Sequence, residues 1–170
     1  MPAGSRLPTI PDADAETGAP VFDRVREMPG HLLRRCQQIA VSVFLDECRP
    51  HDLTPLQYAV LSTLAQSGPL DQVGISGRIA LDRTTVSVVV RNLEERGLVR
   101  REVSVKDRRS KPVSLTDAGQ ALVDSALPAV EAAQERMLSP LSASERKRFL
   151  QFLQKMADGN NEESRAPLRS

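Results

Sequence analysis

Aromatic side chains are scarce in this chain: four Phe, one Tyr and no Trp among 170 residues. Proteins that hold single-stranded nucleic acid stack bases on exposed aromatic faces, so this composition counsels against that mode of binding. Cysteine is nearly absent as well. Cys36 and Cys48 stand twelve residues apart, which fits neither a disulfide framework nor a zinc-ligand pattern. No run approaches the roughly 18 apolar residues that a membrane span needs, and the N-terminus lacks the basic-then-apolar order of a secretory signal. A cytoplasmic protein is the expectation. Paired catalytic acids and bases, a nucleophile elbow, a phosphate loop and metal-ligand spacings are all missing, so neither an enzyme nor a cofactor is expected. The formal net charge is only +1, and it supplies no global argument for a polyanionic partner.

The distribution of charge says more than its sum. From Arg83 to Lys111 there are nine cations (Arg83, Arg91, Arg96, Arg100, Arg101, Lys106, Arg108, Arg109, Lys111) against four acids (Glu94, Glu95, Glu102, Asp107). That local excess leaves the remainder of the chain net acidic, and it reads as a footprint for an anionic surface. Apolar residues make up 40%, enough for the core of one domain, or of a small domain with extra helices.

Helical spacing organises most of the chain. Residues 1–22 are polar and rich in Pro, Gly and Ala, and are expected to form a mobile arm. In "PGHLLRRCQQIAVSVFLDEC", Leu32, Leu33, Cys36, Ile39, Ala40, Val43 and Phe44 recur at helical intervals, and Pro50 closes the segment. Thr54 then reads as an N-cap, Pro55 as the first helical residue and Gln57 as the partner in a capping box; Gly68-Pro69 ends this second helix. A short helix is expected from about Asp71 to Leu81. After a sharp turn another starts at Asp82 as N-cap and stops at Gly97. Its β-branched run from Thr84 to Val90 lowers intrinsic helix propensity, so packing must hold it, with Val86, Val89, Val90 and Leu93 as core.

Beyond Gly97 the period changes. "LVRREVSV" and "KPVSL" read as two strands with a cationic tip between them. Thr116 caps a long helix that contains Pro128, where a kink is expected. The capping box Ser142-Ala-Ser-Glu145 opens a last helix with Phe149, Phe152, Leu153 and Met156 on one face. Residues 158–170, "DGNNEESRAPLRS", are expected to be a flexible tail.

Two helices joined by a short turn and followed by a hairpin make a winged helix-turn-helix, in a mainly α fold with a small β-hairpin wing. The second helix of such a pair fits the major groove of duplex DNA, and a cationic hairpin tip reaches a neighbouring minor groove. From about Leu53 to Gly119 the chain resembles the multiple antibiotic resistance regulator (MarR) family. The resemblance rests on "LTPLQYAVL", on "LDRTTVSVVVRNLEERGLVRRE" and above all on "DRRSKPVSLTDAG". It implies a winged helix-turn-helix lobe over 54–115, flanked by dimerisation helices over 23–53 and 116–157. It further implies an obligate homodimer, a pseudo-palindromic operator, and a small-molecule or oxidant signal. Carried onto this sequence, it places Arg83, Thr84, Thr85, Ser87, Val88 and Arg91 on the recognition helix. Lys106, Arg108 and Arg109 fall in the wing, and Asp107 is positioned to orient an Arg. Val88 stands where many relatives carry a polar or basic residue, so readout there is expected to be apolar, as against a thymine methyl.

The polar face of the first long helix offers His31, Arg34, Arg35 and Gln38, and Gln57 and Tyr58 are candidates to line the same pocket. An Arg fork suits a carboxylate, so the expected effector is a small anionic aromatic acid or its thioester. "HLLRRCQQ" resembles family members that control aromatic-acid breakdown; a solvated or dimer-bridging basic face has the same composition. The resulting expectation is a repressor released by such an effector. A rival signal is redox: Cys36 on the first helix resembles the hydroperoxide-sensing branch, and Arg35 beside it favours a thiolate, while its apolar stripe favours a core cysteine. A weakly specific architectural DNA binder and a protein-interaction adaptor are the readings outside this class.

Overall fold

Five helix starts are set by local chemistry that the sequence carries openly. Side-chain oxygens of Thr54, Asp71, Asp82 and Thr116 each accept the backbone N–H three residues onward, at 3.2, 2.7, 2.9 and 3.1 Å. At the fifth, Ser142 donates its backbone N–H and its hydroxyl to Glu145, at 2.8 and 2.6 Å. The computed structural model describes residues 21–101 and 112–169, which fall into two compact units, one up to Gln37 and one from Gln38.

The element order is α1 (Val21–Glu27), α2 (Pro29–Glu47), α3 (Pro55–Ser67), α4 (Gln72–Ile79), α5 (Arg83–Glu95), β1 (Val99–Arg101), β2 (Val113–Leu115), α6 (Asp117–Met137) and α7 (Ala143–Gly159). Single 3-10 turns follow α2 at Arg49–His51 and α7 at Asn161–Glu163. Of the arm expected over 1–22, residues 21 and 22 are described, and they open α1. α6 continues through Pro128 as one helix. No helix among the described residues is long and apolar enough to cross a membrane.

In the larger unit α3 is the central post, packed against α4, α5 and α6. Val60, Leu61, Ile75, Val86, Val90, Leu93 and Val113 are fully enclosed, and Phe44, Cys48, Ala126, Val130 and Ala133 join the same buried cluster. The lobe over 54–115 and the helices after it therefore share one core. Truncating a side chain such as Leu61 to Ala costs about 2–5 kcal/mol in a setting of this kind.

Burial of Val86, Val89, Val90 and Leu93 keeps the β-branched sequence of α5 helical, and its end is fixed by a separate device. Gly97, at φ 70°, donates its N–H to Glu94 (2.9 Å), and Leu98 donates to Leu93 (2.9 Å). That pair of bonds is a Schellman stop, sealed by the buried side chains of Leu93 and Leu98. The chain then enters β1, which pairs antiparallel with β2 in the register Val99↔Leu115, Arg100↔Ser114, Arg101↔Val113. An isolated one-residue bridge is added by Leu70, which exchanges both backbone bonds with Val113 at 3.1 and 2.7 Å.

Gly119 locks α6 onto this hairpin. A Cβ at that position would lie 2.0 Å from the carbonyl oxygen of Leu98. That same oxygen accepts the N–H of Thr116 (3.1 Å), whose hydroxyl donates to Gly97 (2.7 Å). The "LTDAG" sequence is thus a close-approach motif between a helix start and a strand.

Within the tail expected to be flexible over 158–170, the described residues make specific hydrogen bonds. Asn161 clasps Leu168, accepting its N–H at 2.8 Å and donating to its carbonyl at 3.2 Å. Arg169 then donates its N–H to the carbonyl of Gly77 in α4, at 2.8 Å. Backbone bonds hold the segment, which is why its polar composition gives no sign of it.

Candidate nucleic-acid interface

The helix-turn-helix is built from α4, α5 and a three-residue turn. Ala80 takes the left-handed conformation (φ 50°) and donates its N–H to Ser76, while the Ser76 hydroxyl bonds the carbonyl of Leu81. Asp82 follows at once as the cap of α5, so one turn of chain reverses direction and starts the second helix.

Packing then splits α5 into two faces. Val86, Val90 and Leu93 are fully buried and Val89 nearly so. On the opposite side Arg83, Thr84, Val88 and Arg91 are exposed, while Thr85 and Ser87 are half-buried. Val88, at 50% exposure, is an apolar side chain on this outward face. The Thr85 hydroxyl donates to Asp82 at 2.6 Å, leaving its lone pairs as acceptors for a donor from outside. Those bonds from the Thr85 hydroxyl and backbone N–H hold the Asp82 carboxyl below the usual carboxylate range. Neither Arg83 nor Arg91 makes an ion pair among the described residues.

Not every cation of the basic block faces outward. Arg96 reaches Asp52 at 3.3 Å and Gln57 at 3.4 Å, and Arg101 lies 3.2 Å from Glu94. These two side chains brace α5 against its neighbours. The wing positions Lys106, Asp107, Arg108 and Arg109 lie outside the described residues.

The effector candidates separate in a similar way. α2 carries His31, Arg34 and Arg35 at positions three and four apart, which a helix brings onto one face. In the other unit Gln57 is already engaged. Its Oε1 accepts the N–H of Thr54 at 2.9 Å and its Nε2 donates to Asn92 at 2.6 Å, so it acts as a strut between α3 and α5. Tyr58 is half-buried, its ring 6.1 Å from that of Phe44. Burial, then the neighbouring Cys48 and Glu131, pushes its hydroxyl above the usual tyrosine value. Of the two cysteines, Cys36 is exposed and Cys48 is enclosed. Burial first, and the Glu47 charge second, raise the Cys48 thiol and disfavour its reactive form.

Comparison with known proteins agrees with this architecture. The sequence profile of the MarR family matches residues 53–111. The HTH-type transcriptional repressor NicR of Pseudomonas putida is 34% identical over 136 residues, covering 80% of this chain and 86% of its own. The solved structure of BpsR from Bordetella bronchiseptica, whose DNA binding is regulated by 6-hydroxynicotinic acid, is similar with a TM-score of 0.75. It is 34% identical and covers 78% of this chain and 95% of its own. The repressor CouR bound to a 23-mer DNA duplex is similar with a TM-score of 0.74 at 31% identity, covering 80% of this chain and 96% of its own. With its capped recognition helix, its two-stranded wing base and its relatives in agreement, this chain belongs to the MarR family of DNA-binding transcriptional regulators.

Proposed function

We propose that the protein is a repressor that binds a pseudo-palindromic operator as a homodimer and is released by a small anionic aromatic acid or its thioester. The observation that carries the DNA half is the division of α5 into a sealed valine face and an exposed row of Arg83, Thr84, Val88 and Arg91. In this reading Thr84, Thr85, Ser87 and Val88 meet base edges, and Arg83 and Arg91 meet phosphate. Lys106, Arg108 and Arg109 enter the adjacent minor groove, with Asp107 orienting an arginine. Two such helices enter successive major grooves about 34 Å apart.

The homodimer is supported by apolar surface that one protomer leaves open. α7 buries no residue fully, and Phe152, Leu150 and Met156 are 69%, 53% and 42% exposed. Leu127 of α6 is open as well, at 46%. A second copy is the occupant that the family implies, and burying such side chains yields about 1.5–3 kcal/mol each.

For the effector, the cationic face of α2 supplies the chemistry: two guanidinium groups, Arg34 and Arg35, and the His31 ring, suited to a carboxylate. The response of BpsR to 6-hydroxynicotinic acid supports a hydroxylated pyridine or benzene carboxylate as the first class to try. Gln38 continues the α2 spacing, and Tyr58 is a further candidate; Gln57 contributes through the α3–α5 strut. The exposure of Cys36 favours one second reading, release by oxidation.

One binding assay tests all of this. The purified protein is titrated against its own upstream intergenic DNA, alone, with a panel of aromatic acids and thioesters, and with peroxide. Specific binding relieved by one acid is the expected result. Relief by peroxide alone moves the signal to Cys36, and absence of specific binding leaves the architectural or adaptor reading.

A further inference from the structure

The segment that follows α7 does something that neither the winged helix nor the dimerisation helices require. It crosses back to the helix-turn-helix and binds its backbone. The carbonyl of Gly77 lies in the last turn of α4, where a helix has no internal partner for its C=O groups. Arg169 N–H supplies that partner at 2.8 Å. The approach is close, since a Cβ on Gly77 would sit 3.2 Å from the Cβ of Arg169. Upstream the segment is held in shape by the two-way Asn161–Leu168 clasp and by Ala166 N–H donating to Ser164 Oγ at 3.1 Å.

Its placement matters more than its anchorage. Between the segment and the start of α5 lies a cleft of about 300 Å³, lined on one side by Ser76, Asp82 and Arg83 and on the other by Arg165, Pro167 and Arg169. Three guanidinium-bearing residues thus surround one opening, and all three are exposed. None of them makes an ion pair among the described residues. The one acid on the wall, Asp82, already receives the Thr85 N–H and hydroxyl at 2.9 and 2.6 Å. Arginines gathered in this way at a cleft match the geometry and charge of a phosphate group, which accepts several N–H donors at once.

We infer that this seated segment is a further DNA-contacting element, in which Arg165 and Arg169 join Arg83 to hold a backbone phosphate of the operator beside the N-terminus of α5. The inference rests on the proposed entry of α5 into the major groove and extends it. It gives the protein a phosphate clamp on the helix-turn-helix, independent of the wing. Such a clamp fixes register on the duplex and carries no sequence preference of its own.

The test uses the full chain and two variants, followed by anisotropy on operator and on unrelated duplex across a salt series. Arg165→Gln/Arg169→Gln removes the charge, and Asn161→Ala removes the clasp while keeping both arginines. These are surface changes, so circular dichroism and melting should match wild type. The double Gln variant should lose affinity several-fold on both duplexes, and its salt slope should become shallower by about one for each arginine–phosphate pair removed. Asn161→Ala should lose part of that affinity with its net charge intact. Wild-type affinity and slope in the double variant overturn the proposal, as does tighter binding, which would make the segment an obstruction. An Asn161→Ala chain indistinguishable from wild type also overturns it, because the seat would then play no part. Failure of the underlying reading looks different: wild type itself would show no salt-dependent binding to any duplex, and the phosphate role would fall with it.

Discussion

Gln57 and Asn92 join α3 to the recognition helix through a 2.6 Å hydrogen bond from Nε2 to Oδ1. Gln57 also closes the cap at Thr54, so one side chain fixes the start of α3 and the azimuth of α5 together. Replacing Gln57 with Ala should lower the unfolding free energy by about 1–2 kcal/mol, and Asn92→Ala by about 0.5–1 kcal/mol. Because the two share a bond, the double variant should lose less than the sum of the singles. Urea denaturation of the four chains measures this, and strict additivity would remove the strut.

Gly119 is the position where backbone geometry leaves least choice. Its missing Cβ is what admits the Leu98 carbonyl, so Gly119→Ala forces α6 away from the hairpin. A loss of about 3 kcal/mol is expected from overpacking of this kind. Gly159 offers the contrast within one chain, since nothing lies within 4 Å of a Cβ there. Gly159→Ala should be neutral or slightly stabilising, because Ala is the better helix former. Melting temperatures of the two variants decide the matter; similar shifts would contradict the close approach.

Acid should weaken the cap of the recognition helix before it weakens the core. The Asp82 carboxyl is held below its usual range by the Thr85 hydroxyl and N–H. A depressed folded-state value means that the stabilisation is present above the unfolded value, about pH 4, and is lost as pH falls through the folded one. Asp82→Asn keeps a capping oxygen but cannot titrate. Between about pH 5 and pH 2, wild type should therefore lose more stability than Asp82→Asn. Parallel declines in denaturation midpoint across that range would show that Asp82 contributes nothing to the acid response.

What the sequence discloses and what it hides follow from the range of the interactions. Thr54, Asp71, Asp82 and Thr116 act on residues three positions away, and each is legible as a helix start. The buried face of α5 is legible from spacing alone, since Val86, Val89, Val90 and Leu93 repeat at helical intervals. Leu70 is not, because a one-residue rung beside Pro69 has no alternation to read. Arg96 and Arg101 count toward a cationic footprint in the sequence, whereas the fold pairs them with Asp52 and Glu94. The docking of residues 161–169 depends on backbone groups and one Asn clasp, which leave no hydrophobic pattern.

Arg34 and Arg35 decide whether α2 senses a ligand or merely carries solvated charge. If the carboxylate of the effector is held by these guanidinium groups, Arg34→Ala and Arg35→Ala should bind the operator as wild type does. Release by the acid should then require at least about tenfold more ligand, because truncating one partner of a charge-assisted pair costs about 1.5–3 kcal/mol. Arg→Lys should recover little, since a single ammonium cannot reproduce a bidentate fork. Competition titrations at fixed protein and DNA give both quantities at once. Should both Ala variants respond to the acid at wild-type concentrations, the cationic face of α2 is a solvated or subunit-bridging surface, and the effector must be sought beside Tyr58 instead.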